Sequence, residues 1–384
     1  MAQLLIIADD VTGAADTAAR CHTSGLRASV VLCGPLPSEI AVALTSDSRH
    51  LPPAEAAAQV RALLAATAPP TGALWYKKID STLRGNIAAE LDALLDAAGG
   101  PAVVCPAFPA QGRGLVGGVL TAPDLRGDAP DLRRILASSR RPSTHIPLDV
   151  VRAGPTALAR HLSEAVSRGA EIVAMDAQTD ADLVIVELAT ATALPGALRC
   201  GSAGLAGTLA QRLAQEQRGV EGPPPAPPRA GPALVVVGSG SRAAQRQIAN
   251  LRALQEVCAL ELPTAGDLSL PNSRATAVLL HLPPPADGVP LDGPGAREIA
   301  GRLAKAAVRL IERLDPRLIV LTGGDTAGAV LARMRVTRLD VIRELLPGTP
   351  LMEGTGADGR AWQFALKPGG FGEDDALRVL SREA

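Results

Sequence analysis

The sequence is poor in aromatic residues, which make up only 2% of its 384 positions. The hydrophobic fraction is nevertheless 47%, so the cores must be built from Leu, Val, Ile and Ala. Proteins that bind single-stranded nucleic acid need stacking rings. The near balance of 38 basic and 39 acidic residues also leaves no basic surface for a polyanion. We therefore expect no nucleic-acid partner.

Signals of export and of membrane insertion are missing as well. The five cysteines are scattered and form no CxxC pair, which argues against a disulfide framework or a zinc ribbon. The first apolar run, residues 4–8, meets two aspartates at once and does not resemble a signal peptide. No apolar run approaches the roughly 18 residues that a membrane span needs. These features predict a cytoplasmic protein without a membrane partner.

The length of the chain favours two domains. The Pro-rich run at 219–232, GVEGPPPAPPRAGP, resists helix and sheet and is typical of a semi-stiff linker. We predict an N-terminal domain over 1–218 and a C-terminal domain over 233–384. On both sides of the linker, short apolar runs alternate with helical patterns. This alternation predicts an α/β fold with two domains, each with a largely parallel sheet covered by helices.

The individual elements follow from apolar periodicity and from Pro and Gly at their ends. A helix is also predicted to begin at Thr17. The other predictions are strands at 4–8, 28–32, 73–76, 103–105, 172–175, 234–237, 278–281 and 318–321, and helices at 54–68, 87–98, 155–168, 202–217, 242–255, 296–314 and 327–334.

Two adjacent aspartates, Asp9 and Asp10, follow the first predicted strand. Ligands of open α/β sheets bind where strands end and helices begin. A single acid at this place, or Thr12, could simply cap the next helix. Two neighbouring carboxylates repel each other and favour a site that orients hydroxyls, accepts a proton or holds a cation.

A second polar segment, KKIDSTLRGN at 77–86, joins a predicted strand to a helix. A solvated loop with Asn86 as the helix cap is the simpler interpretation. An arginine fork beside a helix N-terminus, however, suits a carboxylate. A lysine there can add charge at a transferring phosphoryl group. The candidate residues of this segment and of two smaller polar loops are Lys78, Asp80, Ser81, Arg84, Asp47, Arg49 and Arg113.

Glycine-rich turns mark the C-terminal half, in the motifs GSGS, LTGGDT and KPGGFG. Glycines let backbone N–H groups approach phosphate oxygens, and a helix dipole adds favourable potential. No GxxxxGK[ST] motif occurs, which excludes a P-loop. The candidate nucleotide-binding residues are Ser239, Ser241, Gly323, Gly324, Asp325, Thr326, Gly369 and Gly370.

Taken together, these motifs resemble the four-carbon acid sugar kinases, whose members include D-threonate, D-erythronate and 3-oxo-tetronate kinases. The segments IADDVTGAAD, TSDSR, KKIDSTLRGNIAAEL, PAFPAQGR, DAQTDADL, GSAGLAG, GSGSRAAQRQI, LTGGDTAGAVL and KPGGFGEDDAL carry the resemblance in family order across nearly the whole chain. The resemblance implies a sugar-acid domain followed by a domain that binds ATP, and a homodimer. The chain departs from the family pattern over residues 121–141, beside a predicted substrate loop.

The leading hypothesis is ATP-dependent phosphorylation of the terminal hydroxyl of a four-carbon sugar acid. Asp10, Lys78 and Arg84 would be catalytic, with Asp10 as the base, although Asp9 stays open for that role. Phosphates and water would hold most of the Mg²⁺ shell, with Asp325 as a carboxylate ligand. The substrate-binding set would be Asp9, Asp47, Arg49, Asp80, Ser81 and Arg113.

Two other functions compete with this one. Gly238, Gly240 and Ala243 match the dinucleotide fingerprint G-x-G-x-x-G/A, and Glu261 follows about twenty residues later. An NAD-dependent sugar-acid dehydrogenase using the Gly238-Ser239-Gly240 turn is therefore an alternative. A sugar-acid sensor that binds without catalysis is the other.

Overall fold

In a computed structural model of the chain, the residues described are 4–123, 128–216, 230–263, 275–284 and 294–383. Described residues within Met1–Asp9, Arg20–Ala28 and Pro35–Val220 form one compact unit, called the first unit. Those within Asp10–Ala19, Ser29–Gly34 and Glu221–Ala384 form the second unit. Residues 219–229 of the predicted linker lie outside the described residues, and the predicted domain limits stay a prediction.

Strands and helices alternate along most of the described chain. The strands are β1 (Leu4–Ala8), β2 (Ala28–Val31), β3 (Ala41–Thr45), β4 (Leu74–Lys78), β5 (Ala102–Cys105), β6 (Gly114–Val116), β7 (Val119–Thr121), β8 (Ser143–Ile146), β9 (Ile172–Met175), β10 (Leu198–Gly201), β11 (Ala233–Val237), β12 (Val257–Glu261), β13 (Ala277–His281), β14 (Leu318–Thr322), β15 (Arg338–Leu346), β16 (Thr349–Thr355) and β17 (Ala361–Lys367). The helices are α1 (Val11–Thr23), α2 (Pro53–Thr67), α3 (Ile87–Ala98), α4 (Leu132–Leu136), α5 (Leu148–Arg152), α6 (Pro155–Ser167), α7 (Asp180–Ala193), α8 (Ala203–Glu216), α9 (Arg242–Arg252), α10 (Pro294–Leu314), α11 (Gly324–Arg333) and α12 (Ala376–Arg382).

The first unit is built on a parallel sheet with the strand order β3-β1-β4-β10-β5-β9-β8. Its strands are continuous apolar runs because both faces of such a sheet are covered; all five residues of β1 are fully buried. A small hairpin of β6 and β7 follows β5. Parallel strands end at the same edge, so the loops after β3, β1 and β4 lie side by side there, and the loop after β5 follows beyond β10.

The second unit also contains a mostly parallel sheet. Strands β12, β13, β11, β14 and β17 are parallel neighbours in that order. Strands β16, β15 and β2 continue it in antiparallel pairing. The core between β11, β14, β17 and the helices α9 and α12 consists of aliphatic side chains, as the scarcity of aromatic residues requires. The predicted α/β class with largely parallel sheets is confirmed.

Several boundaries differ from the sequence-based expectation. Helix α1 begins at Val11 rather than Thr17, because the Asp10 carboxylate accepts a hydrogen bond from the Gly13 N–H and caps it. Helix α11 begins at Gly324 rather than Ala327. The antiparallel strands β15 to β17 were not predicted. Across the described residues, no helix combines the length and the apolar character that crossing a bilayer requires.

Candidate active site

Asp9 follows β1 in the first unit and is paired with Arg49 from the loop after β3. The Arg49 Nε donates to one carboxylate oxygen at 2.8 Å and Nη2 to the other at 2.7 Å. Burial alone would raise the pKa of Asp9, but Arg49 and the nearby lysines lower it below its ordinary value. Asp9 is therefore ionised and bound on both oxygens.

Asp80 and Arg84, in the loop after β4, form a second carboxylate–guanidinium pair. The Asp80 carboxylate accepts from Arg84 Nε and, at 3.0 Å, from the Thr82 N–H. Burial opposes ionisation, yet Arg84 and Arg49 hold the pKa of Asp80 well below its usual range. The Arg84 side chain is 67% exposed. Its terminal nitrogens have no partner among the described residues and could receive a ligand carboxylate.

Ser81 and Arg113 join the loops after β4 and β5. The buried Arg113 donates from Nη1 to the Ser81 hydroxyl at 2.6 Å. The hairpin that begins after Arg113 turns at Gly117 and Gly118, both with positive φ. Asp176, at the end of β9, accepts their N–H groups at 2.6 and 3.0 Å. This contact could not be predicted from sequence spacing, because Asp176 lies nearly sixty residues after the turn.

A buried ion pair missed by sequence reasoning lies beneath Asp9. Lys77 pairs with Glu90 of α3, and both side chains are almost completely buried. Burial disfavours the charged amine, but Glu90 and Asp9 raise the pKa of Lys77 above its ordinary value. The Ser48 hydroxyl donates to the other Glu90 oxygen at 2.8 Å. This network fixes the loop that carries Arg49.

The other residues predicted for the first unit differ in exposure. Lys78 is buried, and its Nζ donates to the Ile79 carbonyl at 3.0 Å. Asp47 is exposed, with a left-handed backbone (φ 48°) between two inward-facing serines. The alternative role of Asn86 as a side-chain cap does not occur, because its amide donates to the carbonyls of Ser48 and Leu51.

Asp10 belongs to the second unit, where its carboxylate lies at the start of two helices. One oxygen accepts the Gly13 N–H of α1 at 2.6 Å, and the other accepts the Thr12 hydroxyl at 3.1 Å. A methyl group added to Gly324, the first residue of α11, would stand 2.6 Å from Oδ2 of Asp10. The missing side chain of Gly324 thus lets the carboxylate approach the GGDT turn. Capping and a chemical role are compatible in this geometry.

The glycine-rich turns of the second unit contact one another at the carboxyl ends of β11, β14 and β17. A Cβ at Gly369 would collide with the Ser239 hydroxyl, and one at Gly238 with the Thr326 hydroxyl. Gly323 has a φ of 99° and lies against Ser239. Ser241 caps α9 and donates to the Gly369 carbonyl at 2.6 Å. These close approaches leave a cradle lined by backbone, which fits a phosphate-bearing ligand.

The remaining predicted residues lie at the rim of this cradle. Asp325 is in the first turn of α11 and is half-buried. Gly370 is exposed, and a Cβ there would meet no atom within 4 Å. Within the described residues there is no group of three or more His, Cys, Asp or Glu side chains that could hold a metal ion. A metal held largely by ligand phosphates, with Asp325 as its protein ligand, stays a prediction.

Three polar side chains near the cradle were not among the predicted site residues. Lys367 ends β17 and is fully buried, as are Thr322 at the end of β14 and Gln247 of α9. The lysine of the KPGGFG motif was visible in the sequence, but its burial was not.

The strand order of the second unit argues against the dinucleotide-binding alternative. In that fold, the strand that follows the first helix lies beside the first strand. Here β12, which carries Glu261, is separated from β11 by β13. The acid is therefore two strands away from the GSGS turn, too far to read a ribose bound there.

Charged loops at the strand ends of one unit and glycine-rich turns in the other are typical of a protein that binds a sugar with one half and a nucleotide with the other. Two family models agree with this class: one described as a sugar-binding N-terminal domain matches residues 4–209, and one described as a nucleotide-binding C-terminal domain matches residues 286–377.

Curated relatives narrow the class to a family. The D-threonate kinase of Cupriavidus necator is 38% identical over 97% of this chain and 96% of its own length. The D-threonate kinase of Bordetella bronchiseptica is 36% identical over 97% and 95%. The 3-oxo-tetronate kinase of Burkholderia multivorans is 31% identical over 98% and 97%. The chain belongs to the family of four-carbon acid sugar kinases.

Solved structures show the same fold. A crystal structure from Salmonella typhimurium LT2 superposes with a TM-score of 0.78 at 25% identity, covering 100% of this chain and 99% of that one. A Haemophilus influenzae protein of a domain family of unknown function superposes with a TM-score of 0.68 at 22% identity, covering 98% of both chains. The expected homodimer and cytoplasmic location stay predictions.

Proposed function

We propose that this protein transfers the γ-phosphoryl group of ATP to the terminal hydroxyl of a four-carbon sugar acid of the D-threonate, D-erythronate or 3-oxo-tetronate type. The placement of the Asp10 carboxylate against Gly324, at the N-terminus of α11, carries this proposal. A proton acceptor beside a backbone cradle for phosphate is what an in-line transfer from a nucleotide to a hydroxyl needs.

The acid would be recognised by the first unit. Arg84 offers a largely exposed guanidinium whose Nε is already fixed by Asp80. Its terminal nitrogens would bind the substrate carboxylate, and Arg49 would add positive charge. The hydroxyls would be oriented by Ser81, Arg113 and the carboxylates of Asp9 and Asp47. Lys78 would stabilise charge on the transferring group.

The second unit would hold the nucleotide. Gly324 and Gly369 would present backbone N–H groups to the phosphates, with Gly323, Thr326, Gly370 and the Ser239 and Ser241 hydroxyls nearby. Mg²⁺, when bound, would neutralise phosphate charge, with Asp325 as its protein ligand.

Asp10 is the proposed base, and Asp9 is the weaker candidate. Asp10 would accept the proton of the substrate hydroxyl while the hydroxyl oxygen attacks the γ-phosphorus of ATP. The bond between that phosphorus and ADP would break, and ADP would leave. Asp9 has both oxygens bound by Arg49 and a lowered pKa, so it is a poor proton acceptor.

Purified protein incubated with ATP, Mg²⁺ and each of the candidate acids tests this proposal. ADP should form with at least one acid, and ³¹P NMR should show a phosphate monoester on the terminal carbon. Acid binding without ADP formation would favour the sensor. Reduction of NAD in a parallel incubation, with NAD in place of ATP, would favour the dehydrogenase. No turnover across a broad panel of sugar acids would overturn the kinase assignment.

A further inference from the structure

A cluster of three buried polar side chains lies beneath the turn of the KPGGFG motif. Lys367 and Thr322 are register partners at the ends of the parallel strands β17 and β14, so their side chains point to the same face of the sheet. That face packs against α9, which contributes Gln247. A Cβ at Gly372 would lie 3.7 Å from the Cε of Lys367 and 3.6 Å from the Nε2 of Gln247. We call these three residues the Lys367 cluster.

The Lys367 cluster is tied to the glycine-rich cradle by backbone contacts. The Gly323 N–H donates to the Lys367 carbonyl at 3.1 Å. The Lys367 ammonium donates to the Pro368 carbonyl at 3.1 Å, directly before Gly369 and Gly370. The Gln247 amide donates to the carbonyls of residues 371, 372 and 373 at 2.9 to 3.0 Å. These bonds connect both the backbone and the ammonium of Lys367 to the glycine-rich turns that line the cradle.

Two polar atoms of this cluster have no hydrogen-bond partner among the described residues. They are the Thr322 hydroxyl and Oε1 of Gln247, and both residues are fully buried. A buried polar atom without a partner loses its hydrogen bonds to water without replacing them, so a ligand that supplies the missing partner is favoured. Lys367 likewise has no carboxylate partner in the described part of the chain, although an ammonium so deeply buried is ordinarily paired.

Burial changes the pKa of the Lys367 ammonium. Desolvation lowers the pKa of its ammonium to about 7. A bound anion would reverse this by favouring the charged form. Charged side chains on the surrounding elements are mostly paired with one another. These pairs are Arg246 with Asp374, Arg378 with Asp375 and Arg382 with Glu256. The same segments also carry Arg242, Arg252, Asp325, Glu373 and Glu383.

We propose that Lys367 is the counter-charge for a phosphate group of the bound nucleotide, with the Thr322 hydroxyl as a second donor. Gln247 would hold the turn by its Nε2 while its Oε1 accepts a hydrogen bond from the ammonium. This assignment rests on the proposed function, because it assumes a nucleotide in the cradle. It makes Lys367 a phosphate-binding residue, which the glycine motifs alone do not supply.

Isothermal titration calorimetry with ADP and with adenosine tests the assignment. Lys367→Met should weaken ADP binding about tenfold to a hundredfold, the range of a charge-assisted hydrogen bond. Adenosine, which has no phosphate, should bind both proteins equally. Lys305→Met is the matched control, because Lys305 is exposed on α10 of the same unit. Unchanged ADP affinity in Lys367→Met, or an equal loss for adenosine, would overturn the assignment.

A second measurement needs no lysine variant and covers the case in which Lys367→Met does not fold. Wild-type protein near pH 8 should take up as much as about one proton on binding ADP, because the phosphate raises the pKa of Lys367. Titrations in buffers of different ionisation enthalpy measure this uptake.

Thr322→Val should also weaken the binding of ADP more than the binding of adenosine. No uptake, together with an unaffected Thr322→Val, rejects the proposal. A wild-type protein that binds neither ligand would instead reject the proposed function.

Discussion

The two units carry charge in opposite ways. In the first unit the carboxylates at the strand ends are already paired with arginines, as Asp9 is with Arg49 and Asp80 with Arg84. In the second unit the strand ends carry glycines and hydroxyls, and among the described residues the ammonium of the buried Lys367 donates only to a carbonyl. A sugar acid carries one carboxylate and several neutral hydroxyls with directional hydrogen bonds, and a fixed network of polar side chains can orient these groups. A polyphosphate carries its own strong charge and needs close backbone approach.

The largest effect on activity is expected at Asp10, the carboxylate of the second unit that lies against the GGDT turn. Asp10→Asn keeps an oxygen for the Gly13 N–H, so the cap of α1 should survive. It removes the proton acceptor, and kcat should fall about 10²- to 10⁴-fold while the affinity for ADP stays within about twofold. Steady-state kinetics and calorimetry measure the two quantities. A kcat within a few-fold of wild type would remove Asp10 from the chemistry.

The paired charges of the first unit should matter for stability as well as binding. Arg49→Met leaves the buried Asp9 without its partner and should lower the free energy of unfolding by about 3 kcal/mol. Arg84→Met removes the main partner of the buried Asp80 and should also lower the free energy of unfolding, by less than Arg49→Met because Arg84 itself is mostly exposed. It should raise KM for the acid about tenfold or more. The chain has two tryptophans, Trp75 in β4 and Trp362 in β17.

Urea denaturation of a Trp362→Phe background, followed by Trp75 fluorescence, reports on the first unit alone. If Arg49→Met unfolds at the same urea concentration as its parent, the Asp9–Arg49 pair does not stabilise the first unit.

The glycines of the second unit offer a matched pair within one motif. Gly369→Ala places a methyl group on the Ser239 hydroxyl, so KM for ATP should rise about tenfold or more. Gly370→Ala meets open space and should leave that KM within about twofold. Neither change should alter KM for the acid. Equal effects of the two substitutions on KM for ATP would mean that the cradle does not depend on the close approach of Gly369.

Sequence reasoning predicted the most apolar strands and the strand-end motifs because these signals are local, whereas strands such as β3, β10 and β12 were not predicted. Apolar runs such as β1, β9 and β14 were placed within a residue of their limits, since a strand buried on both faces leaves a continuous apolar signal. Strand β15 was missed because charged side chains interrupt its apolar residues and only two of its nine residues, Leu339 and Val341, are buried.

Contacts between distant segments could not be predicted from spacing. The bond from Ser241 to Gly369 joins residues 128 positions apart, and the pair of Lys77 with Glu90 needs β4 and α3 to pack side by side. A motif shows that a lysine is present at the end of a strand. Only packing shows whether that lysine is paired, as Lys77 is, or buried with a carbonyl, as Lys367 is.

The two units should also respond to pH at opposite ends of the scale. Asp9 and Asp80 have lowered pKa values, and Asp182, paired with Arg152, has one of about 2. Each therefore stabilises the first unit above about pH 4, the ordinary range, and that stability is lost as pH falls through the folded pKa. Trp75 fluorescence in urea at pH 6, 4 and 3 should show a falling midpoint. An Asp182→Asn variant should lose part of this pH dependence, and an unchanged slope would contradict the contribution of that pair.

Lys367 should give the second unit the reverse dependence. Its pKa is about 7 in the folded protein and about 10.5 when unfolded, so between these values the unfolded chain binds more protons. The free energy of unfolding of the wild type should therefore rise with pH relative to Lys367→Met, which has no ammonium to bury. Trp362 fluorescence in a Trp75→Phe background measures this difference, and Lys305→Met serves again as the control. ADP should flatten the rise, because a phosphate beside Lys367 keeps the ammonium charged in the folded state. A difference between wild type and Lys367→Met that is independent of pH would mean that the amine is already paired without a ligand, and the contrast between the two units would disappear.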